Sequence, residues 1–250
     1  MTRGSNIQYG GKGLFGASVG ILMLDAQFPR IPGDMGNALT WPFPTHYKIV
    51  RGASPELVVR KQADGLLDAF IDGARELVKD GADGITTNCG FLSLFQTELA
   101  AAVGVPVATS SLMQIPMVEK LLPPGKRAGI LTISAQTLTE AHLDGAGVAR
   151  DTPIMGTDGG TEFTRVIINN EAALDVNKAR EDMLASGRDF VAAHPNLGAI
   201  VLECTNMVPY AADLRRELGL PVFSIYSFIT WFQSSLMPPV FEIDIMDSRR

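Results

Sequence analysis

Gly84-Ile-Thr-Thr-Asn-Cys89-Gly-Phe, running on to Gly104-Val-Pro106-Val, and Ala199-Ile-Val-Leu-Glu-Cys204-Thr-Asn, running on to Gly219-Leu-Pro221-Val, are two versions of one segment. In each, an apolar run of strand character delivers a cysteine, helix-forming residues follow, and Gly-x-Pro-Val opens another strand. Cys89 stands 15 positions before Gly104, and Cys204 stands 15 before Gly219. The chain has 2 cysteines in all. Equivalent thiols on two halves of one molecule suggest an acid–base pair that can work both faces of one carbon.

The same alternation extends outward from these segments. Residues 19–24, 47–50, 84–87 and 105–108 read as strands, with helices at 55–79 and 92–103. The second half repeats the theme, with strands at 128–133, 199–202 and 222–225 and helices at 170–193 and 208–218. Strands alternating with helices imply right-handed βαβ units and parallel sheets. The halves also start alike, Val19-Gly-Ile-Leu against Ala128-Gly-Ile-Leu, as an internal duplication would leave them. The expected fold class is therefore α/β, with two similar lobes, each a short parallel sheet flanked by helices. The expected division is 1–118 plus 226–250 for the first lobe and 119–225 for the second, with Pro123-Pro-Gly125 in the linker and a last helix at 228–236 crossing back. Segment 27–45, rich in Pro and Gly and without periodicity, reads either as a lid or binding loop or as an ordered excursion at a subunit interface.

Bulk properties narrow the function. The chain has 250 residues, 46% of them hydrophobic, enough for one large core or two small ones. A net charge of −6 without a basic stripe argues against nucleic acid or an anionic membrane as partner. The apolar stretch 13–24, with Arg3 and Lys12 before it, is too short to span a bilayer and reads as a core strand rather than a signal. A cytoplasmic location is expected, and there two cysteines stand as free thiols.

Each cysteine falls at the carboxyl end of an expected parallel strand, just before a helix, where ligand sites of open α/β sheets form. Backbone N–H groups at the helix start favour a thiolate and offer a seat for a substrate carboxylate. Asn88, Gly90, Thr205 and Asn206 flank the sulfurs. Ser110 and Ser111 follow another strand end and either bind substrate or cap the next helix. Asp25 ends the first strand and either orients an amine or caps a turn; Thr86, Thr87 and Glu203 read as structural. His46, His142 and His194 lack the clustered spacing of a zinc site, so no metal is expected. Gly11-x-Gly13-x-x-Gly16 matches a dinucleotide pattern but precedes the first strand instead of following it.

With these residues in place, the chain resembles the aspartate/glutamate racemase superfamily. The resemblance rests on Thr87-Asn-Cys89-Gly-Phe and Leu202-Glu-Cys204-Thr-Asn. It implies two pseudo-symmetric flavodoxin-like lobes, no cofactor, a cleft between the lobes, and Cys89 and Cys204 as the catalytic pair. Asn88, Ser110, Ser111, Thr205 and Asn206 would help hold a substrate carboxylate. A homo-oligomer is expected by the same analogy. The chain departs from amino-acid racemases in having Asn88 before Cys89, with Gly90-Phe91 after it. Leu24-Asp25-x-x-Phe28-Pro29, Cys89-Gly-Phe91, Ser110-Ser111-Leu112-x-Gln114-x-Pro116 and Leu202-Glu-Cys204-Thr are most similar to the algal-type dimethylsulfoniopropionate lyase subgroup. The resemblance extends also to hydantoin racemases. The first expectation is a racemase or epimerase exchanging the α-proton of a small carboxylate. A β-elimination lyase using the same cysteines is the alternative, with Trp41, Phe43, Tyr47, Phe91 and Tyr226 as candidate aromatic contacts for a cationic leaving group. A non-catalytic small-acid binding protein is the third.

Overall fold

The computed structural model describes residues 7–241. Arg3 and the outermost ends assigned to the first lobe, 1–6 and 242–250, lie outside the described residues. Two parallel four-stranded sheets carry the chain. The first has the order β2-β1-β3-β4, with β1 Val19–Leu24, β2 Thr45–Val50, β3 Gly84–Thr87 and β4 Val107–Ala108. The second repeats it as β6-β5-β7-β8, with β5 Arg127–Thr132, β6 Ile154–Gly156, β7 Leu197–Leu202 and β8 Val222–Phe223. Every strand pair is parallel.

Strand β1 is buried along its whole length, as a continuous apolar run in a doubly covered parallel sheet should be. The period of two then sorts its side chains. Leu22 and Leu24 join the large core under the helices. Val19, Ile21 and Met23 face the opposite way, into a second core closed by Met35 and Trp41 of the 27–45 segment and by Ile225, Phe228, Ile229 and Phe232. Those last four belong to the last helix among the described residues, which covers the outer face of the first sheet.

The expected helix over 55–79 is two helices, α1 Pro55–Arg60 and α2 Leu67–Asp80. Gln62 and Ala63 adopt positive φ between them, and the buried Ala63 turns back to bond Leu57 O at 3.1 Å. α2 buries Phe70, Gly73, Ala74 and Leu77, the i, i+3, i+4, i+7 stripe of a helix lying on a sheet. Each cysteine is the N-cap of a short 3-10 helix, Gly90–Phe95 or Thr205–Tyr210. These lead into α3 Gln96–Val103 and, in the second half, Ala211–Leu218. Gly104 and Gly219 end the two helices in left-handed conformation at φ 66° and 69°, which explains why both copies of the segment carry glycine there.

A further 3-10 helix, Ser111–Gln114, leads into α4 Ile115–Leu121. Helices α5 Glu140–Gly145 and α6 Phe163–Ile168, and strand β6, went unread in the sequence. α7 Val176–Ala193 starts later than expected, where Asp175 caps it. The last expected strand stops at Phe223, because Ser224 and Ser227 form a capping box that starts the terminal helix α9, Ile225–Leu236, after α8 Ala211–Leu218. No helix among the described residues is long and apolar enough to cross a membrane.

Candidate active site between the strand ends

The carboxyl ends of β3 and β7 face one another, and Cys89 and Cys204 line one cavity between them. Hydrogen bonds across the junction hold the lobes together. The Thr205 hydroxyl donates to Asn88 O at 2.6 Å, and the Ser111 hydroxyl donates to Leu202 O at 2.6 Å. Gln114 reaches Ser224 O at 3.1 Å. Gly90 packs directly on Glu203; a β-carbon there would overlap both its carboxylate and its carbonyl oxygen.

Most of the remaining wall is apolar. Leu24 and Phe28 follow from the first strand, Pro55 and Val59 from α1, Phe91 from beside Cys89, and Ile133 and Ile167 from the second lobe. Asn88, Asn206 and Glu203 supply the polar edge. The space that a water centre can occupy is about 20 Å³, room for roughly one water. The space is narrow, with Cys204 buried and Cys89 partly exposed.

The segment 27–45 forms part of the closure. Phe28 lines the cavity, and the Arg30 guanidinium lies over its ring at 4.7 Å. Arg30 Nη1 donates to Asp34 Oδ1 at 2.9 Å, and the other Asp34 oxygen takes a bond from Asn206 Nδ2. The Cys204 thiol donates in turn to Asn206 Oδ1 at 3.5 Å. A chain of polar contacts therefore runs from one sulfur to the closing loop, and Gly33 of that loop abuts Pro209 of the second lobe. Arg30 Nη2 is buried without a hydrogen-bond partner.

Burial dominates the acidity of the sulfurs. Backbone N–H groups of Phe91 and Leu92 face Cys89, and that of Asn206 faces Cys204, as the helix-start argument expects, and they pull each thiol toward ionisation. Desolvation outweighs them, and the Glu203 carboxylate adds to it, so both thiols are pushed well up rather than down. The expectation of lowered thiol acidity constants is thereby corrected.

Glu203, read from sequence as structural, is fully buried in the cavity wall. Its Oε2 accepts from the Thr132 hydroxyl at 2.8 Å, while Oε1 has no hydrogen-bond partner. Burial raises its carboxyl to about 7, against the smaller opposing pull of the Thr132 hydroxyl and the Ile133 N–H.

Other expected site residues sit around this centre in different ways. Asn88 accepts from Leu24 N at 2.7 Å through its side-chain oxygen, which leaves its NH₂ as the group it can offer a ligand. The side chains of Thr205, Ser110 and Ser111 are engaged in structure: Thr205 and Ser111 across the lobe junction, and Ser110 capping Leu112 N at 3.2 Å. Asp25 does not line the cavity; it pairs with Arg51 at 3.1 Å and accepts from Gly52 N in a neighbouring groove. Of the expected aromatic contacts only Phe91 lines the cavity. Trp41 packs tilted against Phe43 at 5.4 Å and stacks with Tyr226 at 5.7 Å, and Tyr47 bonds Met35 O. Phe28, which supplies the second ring, was visible only inside the motif Leu24-Asp25-x-x-Phe28-Pro29. Among the described residues no cluster of three or more His, Cys, Asp or Glu is arranged to hold a metal.

No protein-family model matches the chain. Among curated proteins it is 29% identical over 214 residues to a dimethylsulfoniopropionate lyase of Durusdinium sp. clade D, a match covering 83% of this chain and 71% of that one. It is also 29% identical over 231 residues to dimethylsulfoniopropionate lyase 6 of Emiliania huxleyi, covering 88% of this chain but 60% of the relative's length. Among solved structures, a glycine-to-cysteine variant of arylmalonate decarboxylase superposes with a TM-score of 0.62 at 19% identity, covering 90% of this chain and 96% of that one. Allantoin racemase from Klebsiella pneumoniae does so with a TM-score of 0.55 at 18% identity, covering 91% and 96%. By sequence, then, the chain is similar to dimethylsulfoniopropionate lyases, and its fold is that of arylmalonate decarboxylase and allantoin racemase, which bears out the resemblance to the aspartate/glutamate racemase superfamily.

Proposed function

We propose that this protein is a cofactor-independent lyase that removes the α-proton of a small carboxylate with a cysteine sulfur and expels a leaving group from the β-carbon. The observation that carries the reading is the single, mostly apolar cavity lined by both Cys89 and Cys204. The similarity to dimethylsulfoniopropionate lyases favours elimination as the outcome. In that reaction one thiolate takes the α-proton, the C–H electrons become the Cα=Cβ bond, and the C–S bond breaks to release dimethyl sulfide and acrylate. The thiol so formed then returns its proton to solvent. The cavity walls exclude water from the carbanionic centre, and the N–H groups at Phe91, Leu92 and Asn206 stabilise whichever sulfur carries charge.

The second reading is racemisation of a small acid, with one sulfur removing the α-proton and the other returning a proton on the opposite face. The fold shared with allantoin racemase supports it, as does the presence of two sulfurs from two lobes in one cavity. Asp25, which the sequence offered either as a contact for an amine or as a turn cap, is paired with Arg51 outside the cavity.

An NMR time course in D₂O tests both readings. The protein meets dimethylsulfoniopropionate, L- and D-amino acids and 5-substituted hydantoins, with Cys89→Ser and Cys204→Ser as controls. Acrylate and dimethyl sulfide released by the parent and lost in a cysteine variant are expected. Inversion with α-deuteration would establish the racemase instead, and tight binding without turnover would make the protein a small-acid binder.

A further inference from the structure

Glu203 is the unassigned ionisable group of the cysteine cavity, and its surroundings define what it can meet. It is 0% exposed, Oε1 rests against Gly90 without a hydrogen-bond partner, and the residue forms part of the cavity wall. The groups around it are Cys89 across the junction, Cys204 beside it, the Thr132 hydroxyl and the Ile133 N–H. Farther out, Arg30 faces Cys89 and is spent on Asp34, while His142 is neutral behind Phe91. The cavity lining contains no lysine or arginine. Ionising a buried carboxylate with no cation within its chamber carries a cost that a ligand's positive charge would offset.

We propose that Glu203 is a specificity-determining residue whose buried carboxylate offsets the positive charge of a substrate's onium group. The proposal rests on the reading of the cysteine cavity as the reaction site. Its consequence for chemistry follows from the same charges. An ionised Glu203 opposes formation of a thiolate at either sulfur. An onium group beside it cancels that opposition, so the ligand carries the charge that lets a sulfur act as base. A ligand of the same shape with a neutral tert-butyl group leaves the opposition from Glu203 in place.

The test compares two carboxylates of one shape, 3-(trimethylammonio)propionate and 4,4-dimethylpentanoate, in which a neutral tert-butyl group replaces the onium, by calorimetry on the full chain. At about pH 8 the onium ligand should bind roughly tenfold tighter or better, and Glu203→Gln should bring the two within about threefold. In the unmodified protein, where folding of a variant is not at issue, the preference should shrink as pH falls below about 7, and onium binding there should release protons to the buffer. Equal affinity for both ligands, a preference that survives in Glu203→Gln, or no binding of either at millimolar concentration would overturn the proposal. Acrylate release from dimethylsulfoniopropionate, measured separately, keeps the two ideas apart. Onium preference without acrylate sinks the lyase and leaves the seat standing, whereas acrylate without onium preference does the reverse.

Discussion

The hydroxyl of Thr205, one residue after Cys204, donates at 2.6 Å to the carbonyl of Asn88, one residue before Cys89. Both groups are buried, so the spacing of the two sulfurs is set by a bond that water does not relax. Thr205→Val keeps the shape and leaves the Asn88 carbonyl unpaired. It should cost about 1–3 kcal/mol of stability and lower kcat more than it changes KM, whereas Thr205→Ser should restore both. Thermal melts beside steady-state kinetics would check this; a Val variant with unchanged kcat would mean the bond does not set the sulfur spacing.

Gly90→Ala should act on the same junction by a different route. Its methyl would collide with the Glu203 carboxylate and carbonyl. The lobes must then separate or Glu203 must move, and overpacking of this kind costs about 1–3 kcal/mol. Reduced stability with loss of turnover is expected, read by denaturant titration and product release.

Neither sulfur should be readily alkylated. Burial and the Glu203 carboxylate push both thiols well above the ordinary cysteine range. Alkylation by iodoacetamide at neutral pH should be slower than for a free thiol by about tenfold or more. Mass spectrometry of Cys89 and Cys204 peptides over time would measure it. Rapid neutral-pH labelling of both would overturn this.

Two buried groups should give stability opposing pH dependences. His142 is fully buried behind Phe91, and burial lowers it to about 4. Its contribution is present above its unfolded value near 6.5 and is lost as pH falls toward 4. Glu203, raised to about 7, contributes stability below its unfolded value near 4.5, which is lost as pH rises toward 7. Between those limits the two slopes, each up to about 1.4 kcal/mol per pH unit, largely cancel. Glu203→Gln should therefore expose a stability that rises with pH from 4 to 6.5, and His142→Gln one that falls with pH from 4.5 to 7. Urea titrations across that range decide it; parallel curves in both variants would refute the assignment.

The two-lobe fold was legible because the duplication repeats its punctuation as well as its apolar runs. Gly104 and Gly219 occupy the same left-handed position after the same helix, and each cysteine caps the turn that precedes it. The half-buried strand Ile154–Gly156 was not legible, since three residues give no period to read. The break after Arg60 was hidden for a related reason: Gln62 and Ala63 take positive φ without being glycine, and a buried alanine there reads as helix. Cys89, Cys204, Asn88 and Asn206 could be placed at the cavity from their position after strand ends. Phe28, Ile133 and Ile167 could not, because only the docking of the lobes brings them together. Glu203 was visible as a neighbour of Cys204, but an alternating strand does not reveal whether its end residue meets a partner or an empty chamber.

A chamber with room for about one water also governs what becomes of the abstracted hydrogen. A proton lodged on a sulfur there has little bulk solvent to trade with. Returned to the carbon it left, it erases the event from any solvent-label record. An α-tritiated or α-deuterated substrate should then surrender its isotope only on the fraction of cycles that go forward, and solvent incorporation alone would undercount the enzyme's attempts at the C–H bond.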